Sequence, residues 1–188
     1  MNTTLSAPRN INLAMALNIL GLFGISVILI VAFYYQLARF ELPCPLCLLQ
    51  RAGIIMIGFG FLFNIYFGIK NAHYSLSLLS CIVTGFIAMR QVSLHIMPGD
   101  TGYGSTFFGL HFYTWAAILS ILTIIAIAAI MPLKAGNVDS ARYTPPTLGK
   151  IAMSLFAFLI AANLVSTVLE CGSGQCDDNP TFYQLLKK

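Results

Sequence analysis

The residue type with the most chemistry to offer in this chain is cysteine, and its spacing is uneven. Cys44 and Cys47 form a Cys-x-x-Cys pair within Pro43-Cys44-Pro45-Leu46-Cys47-Leu48-Leu49-Gln50-Arg51, Cys171 and Cys176 form a second close pair, and Cys81 stands alone. Pro45 suits the first position of a helix, because its missing N–H is one that no helix would satisfy there. Cys44 is then expected near the N-cap and Cys47 in the first turn, where the positive end of the helix dipole favours a thiolate. Arg51 follows Cys47 by four residues and so shares its face of the helix, one turn deeper. A guanidinium there would hold the Cys47 thiolate ionised, and it stands among apolar residues where an unpaired charge is costly. Two vicinal thiols, a helix dipole and a buried cation together describe redox chemistry at a membrane surface.

A Cys-x-x-Cys pair is also half of a zinc site, and Cys171 with Cys176 could complete a four-thiolate set. Arg51 beside Cys47 would repel a metal cation, so the redox reading is adopted and no metal is assigned. A soft-metal transporter or chaperone working through paired thiolates remains the contrasting class. A third class is a structural membrane subunit whose cysteines are staples. Cys81, inside an apolar segment, reads as a small buried residue.

The elements that must carry these residues are membrane helices. Of the 188 residues 58% are hydrophobic and only 9% charged, with a mean hydropathy of +0.83; soluble domains are about one quarter charged. Residues 11–35, 48–69, 75–96, 112–131 and 151–169 are each long enough to cross a bilayer, which takes about 20 helical residues. The expectation is an all-α, polytopic bundle forming a single integral membrane domain, with no room for a soluble one. The first apolar run exceeds the core of a signal peptide and reads as a retained helix. A net charge of +4 without a basic patch gives no nucleic-acid signal, and no phosphate-binding glycine loop is present.

Cations near the helix ends set an orientation. Arg9, Lys70, Lys134, Arg142 and Lys150 fall on one side, against Arg39 on the other with Lys187 and Lys188 at the margin. The N-terminus is therefore expected in the cytoplasm and the C-terminus outside. Both cysteine pairs then lie on the non-cytoplasmic side, where disulfides persist. Glu170, Asp177 and Asp178 crowd negative charge around the tail pair, which should raise its thiol pKa values above that of Cys47. Arg90 reads either as a snorkelling cation or a ligand contact, and His95 as a proton carrier or an interfacial side chain. Tyr113 and Trp115 read as a boundary belt, Asn64 and Asn163 as interhelical hydrogen bonds, and Met97–Leu110 as a glycine-rich loop.

With Cys44-Pro45-Leu46-Cys47 opening the second helix, Arg51 four residues on and Arg90 in the third, the sequence resembles the DsbB family of bacterial inner-membrane disulfide-generating proteins. The resemblance covers most of the first four helices. It implies a thiol:quinone oxidoreductase that reoxidises a periplasmic thioredoxin-fold dithiol oxidase of DsbA type and passes electrons to ubiquinone or menaquinone in the bilayer. On this reading Cys44, Cys47, Arg51, Cys171 and Cys176 are the expected catalytic residues, and Cys47, Arg51, Arg90 and His95 the expected quinone contacts. Cys44, expected nearer water, would exchange with Cys171–Cys176. The chain departs from the family in two ways: the loop between the third and fourth helices has no cysteine, and a fifth span leads to Cys171 and Cys176. The tail pair is therefore expected to take the part of the loop pair.

Overall fold

The structure is a computed structural model that describes residues 9–133 and 144–186. Of the cations that set the expected orientation, Lys134, Arg142, Lys187 and Lys188 lie outside these residues. Among the described residues five helices are long and apolar enough to cross a membrane. They are α1 (Arg9–Ala38), α2 (Pro45–Phe67), α3 (Asn71–Leu94), α4 (Phe112–Ile130) and α5 (Thr147–Cys171). Each runs a few residues beyond its expected span at one end or both, except α4, because apolar composition marks the hydrocarbon core and not the capped turns outside it.

Within the bundle α2 packs against α1 and α3, α4 packs on α3, and α5 packs on α1. Lipid tails are as apolar as leucine, so close approach and not hydrophobic segregation must hold these helices together. Glycines on α2 permit it: a Cβ at Gly60 would overlap Ser77 of α3, and one at Gly58 would strike Phe156 of α5. The core between them is filled by Leu22, Leu29, Ile65, Ile127 and Phe156, all essentially inaccessible. Leu20, Phe86 and Phe158 point outward, as expected for helices that are apolar all round.

At the end of the bundle away from the dithiol, a buried polar set locks three helices together. Asn18 donates to the Tyr74 hydroxyl at 2.6 Å and Asn64 to Asn18 at 2.9 Å. The Asn64 expectation thus holds, whereas Asn163 donates at 2.9 Å to Leu159 O of its own helix. A Thr hydroxyl or Asn amide one turn from a carbonyl has that partner always at hand.

The connection from α3 to α4 is more ordered than its glycines suggest. It contains a small antiparallel hairpin, β1 (Thr106–Phe107) and β2 (Leu110–His111). Its two-residue turn has Phe108 at φ 50° and Gly109 at φ 78°, the left-handed pair that matches the twist of a tight hairpin.

Candidate active site

Cys44 is the N-cap of α2, with Pro45 at the first helical position and the Cys47 N–H donating to Cys44 Sγ at 3.1 Å. The helix N-terminus therefore presents an amide to the sulfur, which is the local reason for thiolate character here. Cys44 and Cys47 are joined in a disulfide, with Cα atoms 4.9 Å apart. Cys44, expected nearer water, is 6% exposed, and Cys47 is the half-buried member, on the cavity wall. The preceding residues are tied to the α3–α4 loop, which accounts for this. Tyr103 donates its hydroxyl to Leu42 O at 2.8 Å, the Ser105 N–H donates to Glu41 at 3.0 Å, and the Ser105 hydroxyl also bonds the Glu41 carboxylate.

A residue the sequence reading did not single out holds both sulfurs. Gln91 of α3 directs its amide N–H groups at Cys44 Sγ (3.3 Å) and Cys47 Sγ (3.6 Å), while its carbonyl receives the Gln50 amide at 2.7 Å. Both glutamines are buried. Polar side chains inside membrane spans are functional candidates by default, which is the signal that would have found them.

Beside the dithiol lies a cavity of about 400 Å³ between α1, α2, α4 and the loop. Its wall is mostly apolar and aromatic, including Tyr35, Phe107, Phe112, Tyr113 and Trp115, and Cys47, Gln50 and Arg51 bring polar atoms to it. Tyr113 and Trp115, expected as a boundary belt, are thus part of this wall. They are set there by the hairpin, whose Phe107 carbonyl receives the Trp115 indole N–H at 2.8 Å. Pockets of this size and character take mostly apolar small molecules.

Arg51 lines the cavity together with Cys47, but its hydrogen bonds go to α1 and not to the sulfur. Nη1 donates to Gln36 Oε1 at 2.6 Å and Nη2 to Ala32 O at 3.2 Å, and the guanidinium sits 5.8 Å from the centre of the Phe33 ring. The expected register with Cys47 is there. The long side chain spends its donors on the adjacent helix, where an uncapped amide oxygen and a carbonyl are in reach.

Two expected contacts lie elsewhere. Arg90 is exposed on α3 and is not part of the cavity wall. His95 also stands outside that wall. Its Nδ1 is 3.1 Å from Asp100, and its ring stacks on Tyr113 with centroids 5.7 Å apart. Asp100 in turn accepts from the Gly102 N–H at 2.7 Å. That bond first, and His95 next, hold the Asp100 carboxyl below its ordinary range.

The second cysteine pair, Cys171–Cys176, is also a disulfide, with Cα atoms 4.5 Å apart. It closes over Gly172, whose φ of 63° ends α5. The tail then folds back, and the Tyr183 hydroxyl receives the Gln36 amide at 3.1 Å. Both disulfides therefore sit at the same end of the bundle. Glu170, expected to crowd the tail pair, is instead turned into the bundle and 2% exposed. Asp177 is occupied by Gln184 at 3.2 Å.

A family model described as "Disulfide bond formation protein DsbB" matches residues 14–103, which include Cys44, Cys47, Arg51, Arg90, Gln91 and Tyr103. No curated protein and no solved structure matches.

Proposed function

We propose that this multi-pass membrane protein, whose residues 14–103 match the family model of disulfide bond formation protein DsbB, is a thiol:quinone oxidoreductase. The observation that carries the proposal is the meeting of Cys47, one half of a disulfide, with an aromatic-walled cavity into which Arg51 also projects. The residues fit the acceptor. A quinone is a flat apolar ring with two carbonyl oxygens, and the wall offers aromatic faces together with the N–H groups of Arg51 and Gln50 beyond those given to Gln36, Ala32 and Gln91. Such a ring supplies a two-electron, two-proton sink. Oxidation of the Cys44 and Cys47 thiols to the disulfide releases two electrons and two protons, which convert quinone to quinol, so the reaction balances without a further reagent.

In this scheme Gln91 and the first-turn amides of α2 stabilise the thiolate that attacks, and Arg51 favours negative charge developing at the cavity. Reducing equivalents arrive from a soluble thioredoxin-fold dithiol oxidase in the periplasm through Cys171–Cys176, by thiolate attack and a mixed disulfide. Because Cys44 is buried, that exchange requires the loop carrying Tyr103 and Ser105 to part from Glu41 and Leu42. Arg90 and His95 lie outside the cavity wall and are given no contact with the ring. The protein is placed in the bacterial inner membrane with its N-terminus cytoplasmic and its C-terminus periplasmic.

Extraction of the purified protein tests the proposal. Near-stoichiometric quinone, lost on filling the cavity by Ala116→Phe, supports it. Protein purified without quinone and unable to take up an added water-soluble analogue contradicts it.

A further inference from the structure

Arg51 is a cation held inside a membrane bundle, and such a charge needs compensation close at hand. The acidic groups of the described residues are mostly committed elsewhere: Glu41 to Ser105, Asp100 to Gly102 and His95, Asp177 to Gln184. Glu170 is not. It is 2% exposed, its Oε1 is buried with no hydrogen-bond partner, and its Oε2 lies 3.5 Å from the Gln36 amide nitrogen. That same amide gives its oxygen to Arg51 Nη1 at 2.6 Å. Gln36 is thus oriented end to end, oxygen toward the cation and nitrogen toward the acid, and it is itself 1% exposed. Ser166 and Tyr183 accept from the same nitrogen, at 2.7 and 3.1 Å.

Local structure does not explain a buried carboxylate at this position. Glu170 stands in the last turn of α5, where the helix dipole disfavours negative charge. Its placement makes sense only through tertiary partners, and Gln36 links it to the Arg51 guanidinium. Glu170 also reaches the cavity by a second route. After burial, it is the larger of two carboxylate influences that raise the Tyr103 phenol above its ordinary value, and Tyr103 lines the cavity wall.

We infer that Glu170 is a positioning residue for Arg51, balancing its charge and fixing its direction through Gln36, so that the fifth helix completes a site whose wall is otherwise built from α1, α2, α4 and the connections next to them. The consequence for catalysis rests on the quinone-reducing function proposed above; the electrostatic claim does not. Since Glu170 directly precedes Cys171, the tail disulfide is one peptide bond away from the residue that sets the charge balance at the cavity.

The test reads Cys47 directly, in the full-length protein and without any quinone. In a Cys44→Ala background Cys47 is a free thiol, and its alkylation by iodoacetamide is followed against pH with peptide-level mass spectrometry, so Cys81 does not interfere. The other titratable groups on the cavity wall are Tyr35, Glu41, Tyr103 and Tyr113, Gln91 on α3 is neutral, and all are unchanged in the variants. Glu170→Gln leaves the Arg51 charge unbalanced beside Cys47, so the alkylation midpoint falls, by on the order of one pH unit. Adding Gln36→Glu returns the negative charge directly to Arg51, and the midpoint comes back to its starting value or above. A midpoint unmoved by Glu170→Gln, or one that the second change does not restore, overturns the inference. Should Glu170→Gln alone fail to accumulate, the double variant decides. A folded double variant with a normal or raised midpoint supports the inference, and a double variant that is absent or has a lowered midpoint overturns it. A shifted and rescued midpoint in a protein that reduces no quinone would sink the functional proposal while leaving the charge pair standing.

Discussion

Gln91→Leu isolates the contribution of a neutral amide to the redox poise of the dithiol. In the oxidised protein the amide meets two disulfide sulfurs, at 3.3 and 3.6 Å, and such contacts are weak. On reduction one of those sulfurs becomes a thiolate, and a hydrogen bond to a charged acceptor contributes about 1.5–3 kcal/mol against about 0.5–1.5 for a neutral one. The amide therefore favours the reduced form by roughly 1–1.5 kcal/mol. For a two-electron couple 1.4 kcal/mol corresponds to about 30 mV. Loss of the amide should lower the Cys44–Cys47 reduction potential by about 20–30 mV and raise the pH midpoint of Cys47 alkylation, the opposite direction to Glu170→Gln. A separate cost falls on stability, because the buried Gln50 amide loses its 2.7 Å acceptor, a loss of about 1–3 kcal/mol. Equilibration in glutathione buffers of graded potential, with alkylation of the remaining thiols, gives the potential; thermal unfolding gives the stability. A Gln91→Leu protein whose potential stays within a few millivolts of the parent would refute the assignment of Gln91 as a sulfur ligand.

Arg51→Met preserves length and removes the charge at the cavity, so quinone turnover should drop at least tenfold while the protein still inserts; unchanged steady-state rates with a water-soluble quinone would reduce Arg51 to a structural tie to Gln36. Reduced Cys171 and Cys176 should react with a membrane-impermeant maleimide on intact spheroplasts, and labelling only after cell lysis would reverse the proposed orientation. The double Cys171/Cys176→Ser variant should still reduce quinone with a small dithiol yet fail to oxidise a thioredoxin-fold partner, and normal oxidation of that partner would make the tail pair a staple. Gly60→Ala sets a methyl group against Ser77 and the His73 carbonyl, so α2 and α3 should separate slightly at a cost of about 1–3 kcal/mol, read as a lowered unfolding temperature; no change would mean that α3 yields freely there.

What the sequence made legible is what depends on neighbours along the chain. Cys44, Pro45 and Cys47 announce the helix start and the dithiol because capping is local. The spans announce themselves because lipid demands apolar residues regardless of tertiary contacts. The register of Arg51 with Cys47 was also readable, but not the destination of its guanidinium, since Gln36 belongs to another helix. Gln36, Gln91 and Glu170 acquire meaning only when α1, α3 and α5 are brought together. The hairpin at Phe108-Gly109 has no sequence signature, because a phenylalanine at positive φ carries none of the usual Asn-Gly or Asp-Gly turn chemistry. That hairpin in turn helps set Trp115 on the cavity wall beside Tyr113. Helix position alone says nothing of the burial of Cys44, because the loop that ties down Glu41 and Leu42 is remote in sequence.

The most direct test of disulfide generation by Cys44–Cys47 at the expense of quinone is an anaerobic single turnover. Protein reduced at this pair is mixed with a water-soluble quinone, and quinol absorbance and Cys44–Cys47 disulfide are measured in the same samples. One quinol per disulfide formed is expected, abolished by Cys47→Ser and retained when Cys171 and Cys176 are both serine. Disulfide formation without matching quinol, or quinol formation that survives Cys47→Ser, would contradict it.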